Sequence, residues 1–117
     1  MQEEERSTTM VVRKFPRFPV AIPSTLVLKD KLRYNALLKD LSLKGCRIDS
    51  ILEPFTGMQL ELLLRLPGEA TPITISNATV RWTGTHGIGV EFLAVAPPHQ
   101  ERLNRVVAQL SARAGQA

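Results

Sequence analysis

The chain has 117 residues and a formal charge of +4, and 44% of its residues are apolar while only 5% are aromatic. This length fits a single domain with a hydrophobic core. The mild positive charge suits an acidic ligand and does not by itself indicate nucleic acid. The single cysteine excludes an internal disulfide and fits a reducing compartment. No apolar signal-peptide run and no window of about 18 apolar residues occurs, so we expect a cytoplasmic protein without membrane insertion.

The N-terminal region divides into two segments. Residues 1–10 are polar, lack periodicity and are predicted to form a flexible tail. Residues 11–20 contain Arg13 and Arg17, which lie four positions apart around a proline. Because the prolines of this segment disfavour helix in the residues before them, we predict an extended strap. Its two guanidinium forks could hold a planar, acidic group.

The middle of the chain shows the period-2 alternation that is typical of half-buried strands. Strands are predicted at 21–30, 31–42, 45–51, 58–66, 73–82 and 87–92. A turn is predicted at Lys29–Lys31, between the first two strands. The alternation slips by one residue between Ile75 and Ala78, which predicts a bulge near Ser76–Asn77.

The last segment has a different period. Apolar residues recur there with the spacing of one helix face, at Leu103, Val106, Val107 and Leu110. Two prolines precede them, where the first turn of a helix accepts proline. We therefore predict an amphipathic helix over 98–112. Short strands followed by one helix indicate a small antiparallel β-barrel or sandwich with a terminal helix.

The sequence contains no recognisable set of catalytic residues. His86 and His99 are far apart and have no cysteine or carboxylate neighbours at metal-ligand spacing. No hydrolase or nucleotide-loop motif occurs, and the stretch 87–89 is better explained as the start of a strand. Cys46 is predicted to pack in the core. We therefore expect a protein that is not an enzyme and holds no metal or cofactor.

The segment DLSLKG, residues 40–45, suits either a turn or a binding site. In the first interpretation, Asp40 and Ser42 bond the local backbone and Gly45 supplies an unusual φ. That interpretation explains each residue type separately. It does not explain why an arginine strap accompanies them.

Together the two segments resemble the PilZ family of bacterial cyclic di-GMP receptors. The family pattern is R-x-x-x-R before a barrel and [D/N]-x-S-x-x-G on an early strand pair, and RKFPR (13–17) and DLSLKG (40–45) match every defined position. ATVRW (78–82) and GIGVEF (87–92) are similar to later strands of the family. The resemblance implies a six-stranded antiparallel β-barrel with a C-terminal α-helix over 11–112, divided into the strap at 11–20, the barrel at 21–95 and the helix at 98–112.

The resemblance also implies roles for the motif residues. Arg13 and Arg17 would bind guanine edges and phosphates, because an arginine fork matches the O6/N7 pair of guanine. Asp40 would accept hydrogen bonds from guanine, and Ser42 would serve base or phosphate. These two residues, two apart on a strand, would face the same side. Gly45 lacks a Cβ and would let the ligand approach the backbone.

Three further residues are candidate ligand contacts, each with an open alternative. Arg47 shares the outward face with Gly45 and either reaches the ligand or stays solvated. Lys14 either neutralises a phosphate or is solvated. Trp82 resembles a family aromatic beside the ligand, but its parity with Val80 favours the core.

The function implied by the resemblance is non-catalytic: the strap becomes ordered when cyclic di-GMP binds, and the signal passes to an unidentified protein partner. One ligand per chain is expected, because Val12, directly before the arginine motif, is apolar where pair-binding members tend to have a basic residue.

Two alternatives are a PilZ-like interaction adaptor that binds no nucleotide and a small barrel that binds RNA or single-stranded DNA. Ligand-blind members usually lose the motif residues that are intact here. A nucleic-acid barrel would need aromatic stacking platforms, and the six aromatic residues supply few.

Overall fold

The computed structural model describes residues 15–115 as a β-barrel with one helix packed against it. Its elements are β1 (Phe18–Val27), β2 (Arg33–Leu41), β3 (Gly45–Ser50), β4 (Gln59–Leu64), β5 (Ile73–Gly84), β6 (Gly87–Ala94) and the helix α1 (Pro97–Ala114). Neighbouring strands are antiparallel in the order β1-β2-β3-β6-β5-β4, and β4 pairs with β1 to close the barrel. The predicted fold, a six-stranded antiparallel barrel with a C-terminal helix, is confirmed.

Alternate side chains of each strand point into the barrel, as a pleated strand requires. In β4, Leu60, Leu62 and Leu64 are buried, while the residues between them are more exposed. Fully buried side chains from the other strands include Leu26, Leu38, Leu41, Cys46, Ile48, Ile73, Ile75 and Val80. Burying each large aliphatic side chain contributes about 1.5–3 kcal/mol, so this interior is the main source of stability.

The helix α1 packs against β1 and β5. Leu103 and Val107 are its buried residues, and prolines occupy its first turn. The Nδ1 atom of His99 accepts a hydrogen bond from the backbone N–H of Thr74 at 3.1 Å, and Arg102 donates to two carbonyls of the β4–β5 loop. No helix within residues 15–115 has the length and apolar character needed to cross a bilayer.

A turn between two strands and a bulge within one strand were predicted from the sequence. The turn at Lys29–Lys31 is present, and Lys31 has a positive φ of 74°. The β4–β5 register shifts between Ile75 and Ala78, which confirms the bulge at Ser76–Asn77. The β5 alternation therefore resumes in the opposite phase after this bulge.

A second bulge on β5 was not predicted, and it changes the position of Trp82. Val80 pairs with Val90, but Trp82 pairs with Gly89, so Arg81 is an extra residue on β5. This extra residue breaks the parity between Val80 and Trp82. Val80 is fully buried, whereas Trp82 is 39% exposed. The interpretation of Trp82 as a core residue was therefore wrong.

The barrel begins earlier than expected. β1 starts at Phe18, inside the segment 11–20 that was predicted as a strap. The last three residues of that segment therefore belong to β1, and Phe18 and Pro19 pair with β2. Arg13, Lys14 and the predicted tail 1–10 lie outside the described residues.

Candidate functional site

An arginine–carboxylate cluster lies where β1 begins, β2 ends and β3 begins. The pairing of Pro19 with Asp40, and of Asp40 with Arg47, brings these three strand ends together. Asp40 Oδ1 accepts a hydrogen bond from Arg17 Nη1, and Asp40 Oδ2 accepts one from Arg47 Nε, both at 3.1 Å. The Asp40 side chain is only 18% exposed, so water and salt screen these pairs less than they screen pairs on the open surface.

Arg47 has a further contact away from Asp40. Its Nη1 donates to the backbone carbonyl of His86, in the β5–β6 turn, at 2.8 Å. The backbone of this turn packs closely there, because a Cβ on Gly87 would lie 3.3 Å from Arg47 Cγ. Arg47 is thus neither fully solvated nor free, and it connects Asp40 to the β5–β6 turn.

The β2–β3 turn is organised by Ser42. Its hydroxyl accepts hydrogen bonds from the backbone N–H groups of Lys44 and Gly45, both at 3.1 Å, and donates to the Gly45 carbonyl at 3.2 Å. The side chain is buried, and the donor and both lone pairs of the hydroxyl are used within the turn. The expected common face of Asp40 and Ser42 is not observed, because β2 ends at Leu41 and the chain turns at Ser42.

Gly45 is required by close packing between strands. A Cβ at this position would lie 2.4 Å from the carbonyl oxygen of Val90 on β6. Gly45 does not have a positive φ, so the interpretation that it supplies an unusual φ was wrong. The group that crowds this position is the backbone of β6.

An open pocket of about 350 Å³ lies beside this cluster. Its lining includes Phe15, Arg17, Ser42, Lys44, Trp82 and Gly89. Asp40 does not line the pocket and is connected to it by the hydrogen bond that it accepts from Arg17. The guanidinium of Arg17 is therefore presented to the pocket by a carboxylate behind it.

Trp82 lies flat against β6 because its cross-strand partner is glycine. A Cβ on Gly89 would lie 2.0 Å from Trp82 Nε1, so any side chain there would displace the indole. The exposed indole gives the pocket an aromatic surface on which a base could stack. Gly89 could not be identified from the sequence, because its pairing with Trp82 follows only from the bulge at Arg81.

Two other lining residues were not identified from the sequence. Lys44 Nζ lies 5.8 Å from the centroid of the Phe15 ring, within cation–π distance. This contact joins the β2–β3 turn to the chain just before Arg17. Both residues occupy undefined positions of the two motifs, which is why the motif pattern gave no signal for them.

The pocket is rich in cations. Arg17, Lys44 and Arg81 line it together with Glu91, which forms an ion pair with Arg81. Beneath this surface, burial raises the pKa of the Cys46 thiol well above its usual value, and the charge of Asp40 raises it further. Cys46 is thus a core residue, as predicted, and its thiol is protonated. Within residues 15–115, no group of three or more His, Cys, Asp or Glu side chains could hold a metal ion.

Most of the predicted site residues lie in one region. The cluster, the turn and the pocket contain Arg17, Asp40, Ser42, Gly45, Arg47 and Trp82. Arg13 and Lys14 fall outside the described residues, so the structure gives no position for them.

The fold and this surface define a small β-barrel domain with an arginine-rich pocket at one strand junction. The PilZ domain family matches residues 12–109. The chain therefore belongs to the PilZ domain family. A comparison with curated proteins gave no match.

Solved structures of the same fold come from several bacteria. The Bacillus subtilis inhibitor of motility MotI/DgrA is 20% identical with a TM-score of 0.69, and the match covers 97% of this chain and 57% of that one. The PilZ domain of Escherichia coli YcgR, solved with c-di-GMP, is 18% identical with a TM-score of 0.65, covering 89% and 95%. The PilZ domain of CeSA from a cellulose-synthesizing bacterium is 17% identical with a TM-score of 0.64, covering 82% and 98%. The present chain spans little more than half the length of the MotI/DgrA chain.

Proposed function

We propose that this protein is a non-catalytic receptor that binds cyclic di-GMP at the pocket beside Arg17. The observation that carries the proposal is the position of Arg17, which lines the pocket and is held by Asp40 at 3.1 Å. Membership of the PilZ family and the likeness to the YcgR PilZ domain, whose structure contains c-di-GMP, support it.

The chemistry of the pocket suits a ligand with guanine bases and phosphates. The Arg17 fork can donate two parallel hydrogen bonds to guanine O6/N7 or to a phosphate. Trp82 offers a stacking surface, and Lys44 can meet a phosphate as a point charge. A pocket of about 350 Å³ fits one base with its neighbouring phosphate. Arg13 and Lys14, just before Phe15 in the chain, would add cations to the same ligand.

Asp40 retains capacity to bind the ligand although both of its oxygens are paired. A carboxylate has about four lone-pair positions, and the two arginines use two of them. The pocket geometry supports one role for Asp40, the orientation of Arg17; a direct bond to the guanine N1–H and N2–H₂ edge would need the ligand to reach past the lining to Asp40.

Calorimetric titration of the full chain with cyclic di-GMP tests the proposed function. GTP controls for the guanine base and cyclic di-AMP controls for the macrocycle. We expect saturable binding of cyclic di-GMP alone. Absence of binding to all three would contradict the proposal in favour of an interaction adaptor, and steeply salt-dependent binding to a random oligonucleotide would favour a nucleic-acid barrel.

Arg17→Ala should weaken cyclic di-GMP binding by about 1.5–3 kcal/mol, the typical loss for a hydrogen bond to a charged group. The free energy of unfolding should change little, because Asp40 keeps its bond to Arg47. Arg105→Ala, which also removes one arginine but from an exposed position on α1, should leave the affinity unchanged. Equal affinities of the two variants in the same titration would contradict the assignment of Arg17.

We also propose that binding orders the strap before β1. Phe15, which contacts Lys44, and Arg17 line the pocket, so a ligand there would contact the end of the strap. Order imposed on a segment by a ligand is a common switching mode. By hydrogen exchange, cyclic di-GMP should slow the amides of residues 11–15 and of Arg17 and leave those of α1 unchanged. Rates at 11–17 that ignore the ligand would rule out the relay while leaving binding intact.

A further inference from the structure

Arg47 joins two parts of the molecule that are distant in sequence. Its Nε donates to Asp40 on β2, and its Nη1 donates to the His86 carbonyl in the β5–β6 turn. Thr85 and His86 are exposed at this turn, and the Gly87 backbone lies against the Arg47 side chain. The turn is therefore tied to the arginine–carboxylate cluster by one guanidinium.

The same contacts separate the role of Arg47 from that of Arg17. Arg17 lines the pocket, whereas Arg47 is not among the lining residues. Two N–H groups of the Arg47 guanidinium already donate to acceptors of the protein, a carboxylate oxygen and a backbone carbonyl. A planar guanidinium that bridges two fixed acceptors is suited to holding them in register.

We propose that Arg47 is a positioning residue rather than a ligand contact. It fixes the Asp40 carboxylate that presents Arg17, and it links the position of that carboxylate to the position of the β5–β6 turn. The effects on ligand binding that this inference predicts rest on the proposed function. The connection runs from Arg17 through Asp40 and Arg47 to the His86 carbonyl, with each step a hydrogen bond of 3.1 Å or less. The β5–β6 turn is then a surface whose position depends on the binding site.

A double-mutant cycle distinguishes positioning from direct contact. Lysine keeps the charge of Arg47 but can reach only one of the two acceptors, so Arg47→Lys should weaken cyclic di-GMP binding about tenfold. If Arg47 acts through Asp40, the double variant Asp40→Asn/Arg47→Lys should bind no more weakly than Asp40→Asn alone. Losses of affinity that multiply in the double variant would show a direct ligand contact and overturn the inference.

Arg102→Lys is the matched control. Arg102 also bridges a carboxylate, that of Glu69, and backbone carbonyls, those of Thr71 and Pro72. It does so between α1 and the β4–β5 loop. Its substitution should leave affinity for cyclic di-GMP unchanged, and a loss equal to that of Arg47→Lys would show a general weakening of the barrel instead of positioning.

A measurement without ligand keeps the inference separate from the proposed function. The His86 carbonyl belongs to the same peptide group as the Gly87 N–H, so the Gly87 amide resonance in a ¹H–¹⁵N spectrum reports the bond from Arg47. Asp40→Asn should shift this resonance although Asp40 does not contact the turn, and Arg102→Lys should not. An unmoved Gly87 resonance in Asp40→Asn would overturn the link, whether or not the wild-type protein binds cyclic di-GMP. A wild-type protein that fails to bind would contradict only the proposed function.

Discussion

Two glycines let groups approach more closely than any side chain would permit. Gly45 allows the backbones of β3 and β6 to meet, and Gly89 allows the Trp82 indole to lie on β6. Gly45 belongs to a motif and was identified from the sequence, but for a different physical reason. Gly89 and the exposure of Trp82 could not be predicted, because they depend on a bulge at Arg81 that only cross-strand pairing reveals. Residue identity therefore predicted which residues lie together better than it predicted the contact that each one makes.

Gly45→Ala tests the close approach at the residue scale. The new Cβ would lie 2.4 Å from a backbone carbonyl, and a backbone carbonyl cannot rotate away as a side chain would. We expect the free energy of unfolding in urea to fall by about 1–3 kcal/mol, the usual cost of overpacking.

Gly84→Ala is the control, since a Cβ there would have no atom within 4 Å and the φ of Gly84 is not positive. Its stability should stay within about 0.5 kcal/mol of the wild type. Equal unfolding midpoints for the two variants would show that β3 and β6 can separate without cost.

At the scale of elements, the strands and the helix follow from local periodicity. Each predicted strand has a counterpart in the barrel, and α1 spans Pro97–Ala114 against a predicted range of 98–112. The first bulge was also visible, because its slip in the alternation falls between Ile75 and Ala78 within one strand. The start of β1 at Phe18 could not be predicted, because the prolines there favour an extended chain but do not show whether that chain pairs with another strand.

The β2–β3 turn gives a prediction at this scale. Ser42→Ala would leave the buried N–H group of Gly45 and the part-buried N–H group of Lys44 without the acceptor they share. We expect the free energy of unfolding to fall by about 1–3 kcal/mol, the cost of unsatisfied buried donors. Cyclic di-GMP affinity should fall less than in Asp40→Ala, which removes the charged group that holds Arg17.

Ser76→Ala is the matched control for the turn, because its hydroxyl makes an exposed bond to the Ala94 carbonyl. Chemical denaturation of Ser42→Ala and Ser76→Ala side by side should show a clear loss only for the first. Affinity that falls further in Ser42→Ala than in Asp40→Ala would indicate that the hydroxyl itself binds the ligand.

At the scale of the whole molecule, the strand order could not be derived from periodicity. β3 and β6 are neighbours although two strands lie between them in sequence, and β4 returns to pair with β1. Periodicity alone left a barrel and a sandwich equally open, and the family resemblance selected the barrel. The β1–β2 pairing places the start of β1 beside Asp40, and the β3–β6 pairing places the β5–β6 turn beside Arg47. The proposed ligand site thus depends on pairings between elements that were individually predictable.

The number of ligands per chain depends on the cations that the whole site can supply. An intercalated pair of cyclic di-GMP molecules would bring four phosphate charges and additional guanines to the pocket. Of the described cations that line it, Arg17 is paired with Asp40 and Arg81 with Glu91, which leaves Lys44 outside these ion pairs. Arg47 is engaged with Asp40 and the His86 carbonyl. Arg13 would add one fork beside that of Arg17, and Lys14 one point charge, so the site offers two forks for the two guanines of one molecule and none for the guanines of a second.

We therefore expect titration to saturation to give one cyclic di-GMP per chain. Val12, directly before the arginine motif, supplies neither a fork nor a charge for a second molecule. Val12→Arg adds both and should raise the stoichiometry towards two. A wild-type stoichiometry of two, unchanged in Val12→Arg, would show that another cation of the chain already fills this role, with Arg6 as the first residue to substitute.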